Sequence, residues 1–160
     1  VARFEDIVAR IRRATPDCGI NTDVIVGFPG ETAAQFEHTM DLLRRVRFDQ
    51  VHVASYSVRP GTPAALLEDD VPAEEKERRR REVEALQEGI AGEIAARHLG
   101  QEVEILVDGQ KKGRWRGRTR TGRLVFFESA DDWLGRLVTV RVTWAGPWSM
   151  IGEVASEDRG

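Results

Sequence analysis

A β-branched run, Val24-Ile25-Val26, stops at the loop Gly27-Phe28-Pro29-Gly30, and a helical pattern begins at once. That order constrains the fold more than any other stretch. Thr32 and Gln35 stand in capping-box spacing, so the Thr32 hydroxyl can cap the helix while Gln35 reaches back to the chain entering it. Strand, tight turn and capped helix together form a unit of a parallel α/β sheet. In such sheets ligands gather where strands end in loops, which makes the carboxyl end of this strand the first place to look for a site.

The flanking segments agree with this reading. Phe4, Ile7, Val8 and Ile11 follow i, i+3, i+4, i+7 spacing, so residues 2–14 read as a helix with one buried face, ended by Pro16. A strand over 21–26, a helix over 33–46 burying Phe36, Met40, Leu43 and Val46, and a strand over 50–57 follow. Two helix–strand units cannot cover both faces of a sheet. Residues 1–71 therefore read as part of a larger parallel sheet or barrel whose other strands lie upstream. From Pro72 to about residue 99 the chain is a charged linking helix with an apolar stripe at Val83, Leu86, Ile90 and Ile94. Its Arg78–Arg81 run is surrounded by glutamates, which favours a solvated helix face over a nucleic-acid contact.

At Gly100 the periodicity changes from helical to alternating. Val103, Ile105 and Val107 alternate, as do Val125 and Phe127, and then Val138, Val140, Val142 and Trp144. About five short strands with glycine turns predict a small antiparallel β-barrel over 100–156, a class that commonly binds oligonucleotides.

Charge matters here only through its placement. The chain has a net charge of −3, yet Lys111 to Arg123 carries seven cations and no acid. Arg114, Arg116, Arg118 and Arg120 fall on every second residue and on a strand would form one cationic row. With Lys111, Lys112 and Arg123 they are candidates for phosphate contacts, since guanidinium makes paired hydrogen bonds to oxyanions. Trp115 can stack on a base or sit in the barrel core, and the sequence leaves both open.

The single cysteine, Cys18, excludes a disulfide framework and any metal cluster held by cysteines of this chain alone. No apolar run reaches the roughly 20 residues of a membrane span. The chain opens without Met on a charged amphipathic helix rather than a secretory leader, which leads to the expectation of a cytoplasmic fragment.

Three motifs in order carry a resemblance. Thr22-Asp-Val-Ile-Val-Gly-Phe-Pro-Gly-Glu-Thr32 and then Tyr56-Ser-Val-Arg-Pro-Gly-Thr-Pro-Ala64 resemble the radical-SAM methylthiotransferases. Gly117-Arg-Thr-Arg-Thr-Gly-Arg-Leu-Val-Phe-Phe-Glu128, with Leu134-Gly-Arg-Leu-Val138 and Trp148-Ser-Met-Ile-Gly-Glu153, is similar to their TRAM domain. The Gly-Arg-Thr-Arg-Thr segment favours the tRNA-acting branch over the ribosomal-protein branch. The resemblance implies the end of a radical-SAM (TIM-like) barrel at 1–71, a linking helix at 72–99 and an RNA-binding TRAM barrel at 100–156. It implies S-adenosylmethionine and two [4Fe-4S] clusters in a full-length enzyme that adds a methylthio group to an N6-modified adenosine beside the anticodon. The implied partners are the tRNA anticodon stem-loop and the missing N-terminal part of the polypeptide. Gly27, Phe28, Pro29, Gly30 and Glu31 would then lie near the adenosyl group, with Tyr56, Ser57 and Arg59 at the barrel mouth. Both cysteine sets of the family are absent, so this chain alone is expected to be inactive. A relative acting on a ribosomal protein or on another tRNA adenosine, and an RNA-binding module without chemistry, stay open as alternatives.

Overall fold

A computed structural model describes residues 1–16 and 18–155, so the expected barrel boundary at Ser156 lies outside the described residues. Eleven segments follow the sequence periodicity: α1 (Ala2–Ala14), β1 (Asn21–Val26), α2 (Ala33–Val46), β2 (Gln50–Ser55), a 3-10 turn (Pro63–Leu66), α3 (Ala73–Ala96), and β3 (Glu102–Lys111), β4 (Arg114–Thr119), β5 (Leu124–Phe127), β6 (Leu137–Ala145) and β7 (Met150–Val154). They form two compact units, one from Ile20 to Ile90 and one combining α1 with the described residues from Ala91 to Ala155.

The first unit is a strand–helix–strand crossover. β1 and β2 pair in parallel, from Asn21 opposite Gln50 to Val26 opposite Ser55. Both limbs of the capping box form at the start of α2: the Gln35 backbone N–H donates to the Thr32 hydroxyl, and the Thr32 N–H donates to the Gln35 side chain. The helix buries Phe36, Met40, Leu43 and Val46, the face that the 3.6-residue period selects. Each large side chain removed from water in this way stabilises the unit by about 1.5–3 kcal/mol. The parallel sheet has two strands, so no radical-SAM barrel is present among the described residues.

The face that α3 buries is more polar than its apolar stripe predicts. Val83 and Ile90 are buried, but so are Lys76, Arg79 and Gln87. The Gln87 amide donates to the Phe48 and Asp49 carbonyls, at 3.1 and 3.2 Å, which satisfies backbone acceptors beside β2. Arg79 is therefore not part of a solvated face. In the second unit α1 buries Val8, whereas Phe4, Ile7 and Ile11 stay about two-fifths exposed.

β3 to β7 close into a barrel in the order β3-β4-β5-β7-β6. The expectation of an antiparallel barrel is corrected, because β5 and β7 run parallel while the other four pairs are antiparallel. The reason is one of parity. Strand direction cannot alternate all the way round a closed ring of five. Inside lie Ile105, Val107, Trp115, Val125, Phe127, Val138, Val140, Val142 and Met150, which are the inward positions of each alternating strand. A bulge between Val142 and Trp144 breaks the alternation of β6 and turns Trp144 outward, 51% exposed, although the sequence pattern groups it with the inward valines.

Candidate nucleic-acid interface

The loop after β1 is held from within. Gly27 and Gly30 adopt φ of 67° and 78°, the left-handed region that glycine enters without strain. Gly27 also has no room for a side chain, since a Cβ there would lie 2.3 Å from Lys76 Cγ. Glu31 Oε2 accepts from the Gly27 N–H at 2.6 Å and from Arg79 at 2.7 Å, and the Arg79 guanidinium also reaches the Glu31 carbonyl and Glu75. Burial opposes the Arg79 charge, yet the Glu31 and Glu75 hydrogen bonds outweigh it and hold the group above its ordinary pKa. Glu31 thus closes the loop on α3. The Gly30 N–H donates to Asp70 at 2.7 Å.

Across the rim, Tyr56 donates its hydroxyl to the Ala64 carbonyl at 3.0 Å and packs edge-on to Phe28, with ring centroids 5.1 Å apart. Lys76 pairs with Asp69 and lies 5.2 Å from the centre of the Tyr56 ring. Pro29 is half-buried, while Phe28, Ser57 and Arg59 are exposed. Of the eight residues expected near a cofactor, the structure brings the Gly27–Glu31 loop and Tyr56 together as one braced rim. A thiolate-held iron–sulfur cluster needs three or four cysteine ligands, roughly. Cys18 is the only cysteine, and no three His, Cys, Asp or Glu side chains among the described residues could hold a metal. The residues present do not fit a cluster.

The arginine row forms as the alternation requires. Lys112 and Gly113, with φ of 52° and 80°, make the tight turn that returns β3 into β4. On β4, Arg114, Arg116 and Arg118 point outward and Trp115 and Gly117 inward. Arg120 lies past the strand end, in the turn before Arg123, and is highly exposed; Lys111 and Lys112 are exposed at the opposite end. Trp115 is buried, and its indole N–H donates to the Ser129 carbonyl at 3.2 Å. It is a core residue and cannot stack on a base, a correction that follows from the row itself: with period two, outward arginines force Trp115 inward.

Register supplies acids that the linear sequence hides. Arg114 pairs with Glu128 at 2.9 Å, Arg116 with Asp108 at 2.7 Å, Arg118 with Asp108 at 3.5 Å and Arg120 with Glu104 at 3.2 Å. Four arginines thus meet three acids, with the exposed Lys111 and Lys112 beside them. The surface keeps a positive excess, and its guanidinium groups are held in place by partners that phosphate can displace.

Residues 96–155 match the TRAM domain. Over 99% of its length the chain is 54% identical to a tRNA-2-methylthio-N(6)-dimethylallyladenosine synthase from Roseiflexus sp., of which it covers 34%. It is 52% identical to the Chloroflexus aurantiacus protein of the same name, covering 35% of it, and 43% identical to that of Geobacillus thermodenitrificans, covering 30%. The chain spans about a third of the length of the curated relatives it matches. A solved multidomain protein with nucleic acid binding domains from Streptococcus pneumoniae matches at 16% identity and a TM-score of 0.32, over 38% of this chain and 24% of that one.

Proposed function

On the premise that this chain belongs with the tRNA-2-methylthio-N(6)-dimethylallyladenosine synthases, matching their C-terminal part and carrying a TRAM domain, we propose that its β-barrel holds tRNA for a methylthiotransferase. The modified group is then an N6-substituted adenosine beside the anticodon, and the contact is with the anticodon stem-loop. The observation that carries the reading is the outward arginine row of β4, continued by Arg120, in which four guanidinium groups meet three acids beside the exposed Lys111 and Lys112. Backbone phosphates are the ligand such a row suits, because they satisfy forked donors without regard to sequence.

Chemistry at the adenosine belongs to the longer protein. Two iron–sulfur clusters would be held outside these residues, while the Gly27–Glu31 loop would lie near the adenosyl group of S-adenosylmethionine, with Tyr56, Ser57 and Arg59 at the mouth of the longer protein's barrel. For the chain by itself the single cysteine favours a second reading, an RNA-binding module without catalysis. Cytoplasmic residence follows from a tRNA partner, and no helix among the described residues is long and apolar enough to cross a membrane.

The test is tRNA affinity measured against salt concentration. Binding should weaken steeply as salt rises, with each phosphate contact contributing roughly 0.7–0.9 to the log–log slope. Affinity that is absent at low salt, or independent of salt, refutes the reading.

A further inference from the structure

The outer wall of the barrel carries an apolar stripe that ends on the arginine row. Trp144 on β6 stands opposite Ile151 on β7, Ile151 opposite Phe126 on β5, and Phe126 opposite Arg116 on β4. Directly opposed residues share a face of the sheet with Cβ atoms about 5 Å apart, so the four side chains form a continuous line roughly 14 Å long. Ile151 and Phe126 are half-buried, and Trp144 is 51% exposed. Arg116, at the far end, is tethered by Asp108 at 2.7 Å.

Two features fix the indole where it is. The bulge between Val142 and Trp144 takes Trp144 out of the core alternation. Gly146 then leaves space under the ring: a Cβ at Gly146 would lie 2.3 Å from Trp144 Cη2 and 2.9 Å from Cζ2. The ring therefore lies over a buried glycine on one side and meets solvent on the other. A large aromatic left outside a well-filled core, in line with a cationic row, matches the surface that single strands use, in which charge tracks the backbone and aromatic faces receive the bases.

We propose that Trp144, with Phe126 and Ile151 beside it, is a stacking platform for unpaired RNA bases whose phosphates lie along Arg116 and its neighbours. This rests on the RNA-binding reading and adds to it a base-contacting surface, in the place that Trp115 cannot fill. One strand of RNA would cross the wall with its backbone on β4 and its bases toward β6. Because every base has an apolar face, the platform prefers bases over no base but selects weakly among them.

The experiment uses the whole chain with two fluorescein-labelled probes of equal length, an unstructured oligouridylate and an abasic oligoribonucleotide. The wild-type protein should prefer the base-bearing probe by about tenfold. Trp144→Ala should abolish that preference, leaving abasic binding and the salt slope unchanged, and Trp144→Phe should restore most of it. Arg116→Ala should weaken both probes alike. Retention of the preference in Trp144→Ala, with a thermal transition like that of wild type, overturns the platform; loss of both probes in Arg116→Ala would then leave the RNA reading standing. Failure of the wild type to bind either probe at low salt removes the RNA reading and the platform together. If sedimentation shows that Trp144→Ala turns a dimer into a monomer while probe binding is untouched, the stripe is a self-association face and the proposal is wrong.

Discussion

Two runs of arginine look alike in the sequence and differ in the molecule. Arg78–Arg81 on α3 is answered by five acids. Arg78 pairs with Glu75 and Glu82, Arg79 with Glu75 and Glu31, Arg80 with Glu77 and Glu84, and Arg81 with Glu77. Nearly all of these partners stand three or four residues away on the same helix, and Arg79 is buried. The run on β4 draws its acids from elsewhere in the barrel, with Asp108 shared between Arg116 and Arg118. A cationic run answered by acids of its own helix and of the adjoining loop stabilises the fold. One left in excess on a strand face is available to an outside anion. What separates the two is the ratio of acids to arginines in space.

The sharpest way to break this comparison is Arg79→Ala, which strands the Glu31 carboxylate beside the loop. Removing one member of a buried pair costs about 3–5 kcal/mol, so urea unfolding of the Ile20–Ile90 unit should shift by that order. Stability unchanged within error would mean that the α3 run is no more structural than the β4 run. Next in size is Arg116→Ala combined with Arg118→Ala. The salt slope of tRNA binding should fall by about 1.4 at 0.7 per contact, and Arg78→Ala with Arg81→Ala should leave the slope as it is. Equal loss from both double variants would erase the distinction.

A smaller effect concerns acid. Hydrogen bonds from Arg78 and then Arg79 lower the Glu75 pKa from 4.5 to about 2. A carboxylate depressed in the folded state contributes stability that is complete above its unfolded pKa and is lost as pH falls through the folded value. Stability of the Ile20–Ile90 unit should therefore decline between about pH 4.5 and pH 2. Glu75→Gln should flatten that decline in a pH series of denaturation curves. An unchanged slope would show that the Arg78–Arg81 run does not act through Glu75. The least effect is expected from Arg81→Ala, where the side chain is 73% exposed and shares Glu77 with Arg80. Such a pair contributes about 0.2–1 kcal/mol at most, so the midpoint should barely move.

Much of this architecture was legible because it depends on local period. The bounds of α1, β1 and α2 follow from apolar spacing, from Pro16 and from the Thr32–Gln35 box, and the arginine alternation predicts the outward face of β4. What escaped depends on pairing. Glu104 and Asp108 lie on β3, and only the register of β3 with β4 brings them to the arginines. Trp144 follows three valines in phase, and a single bulge reverses it. Trp115 was decidable, since its position between two outward arginines already assigns it to the interior. The mixed direction of the barrel was decidable too, given five strands and closure. Arg79 escaped because its main partner, Glu31, is 48 residues away, beyond any helical spacing.

The position of β7 also bears on how the chain is made. Met150–Val154 is the last strand of the barrel, yet it lies between β5 and β6 and pairs with both. Until these residues leave the ribosome, the part of β3 to β6 that has emerged has open edges and no means of closing the ring. Synthesis at roughly 5–20 residues per second makes that interval brief, but throughout it the β5 and β6 edges can pair with other nascent chains. A premature stop ahead of Met150 would make the interval permanent. Truncation there should yield an aggregating product rather than a smaller barrel.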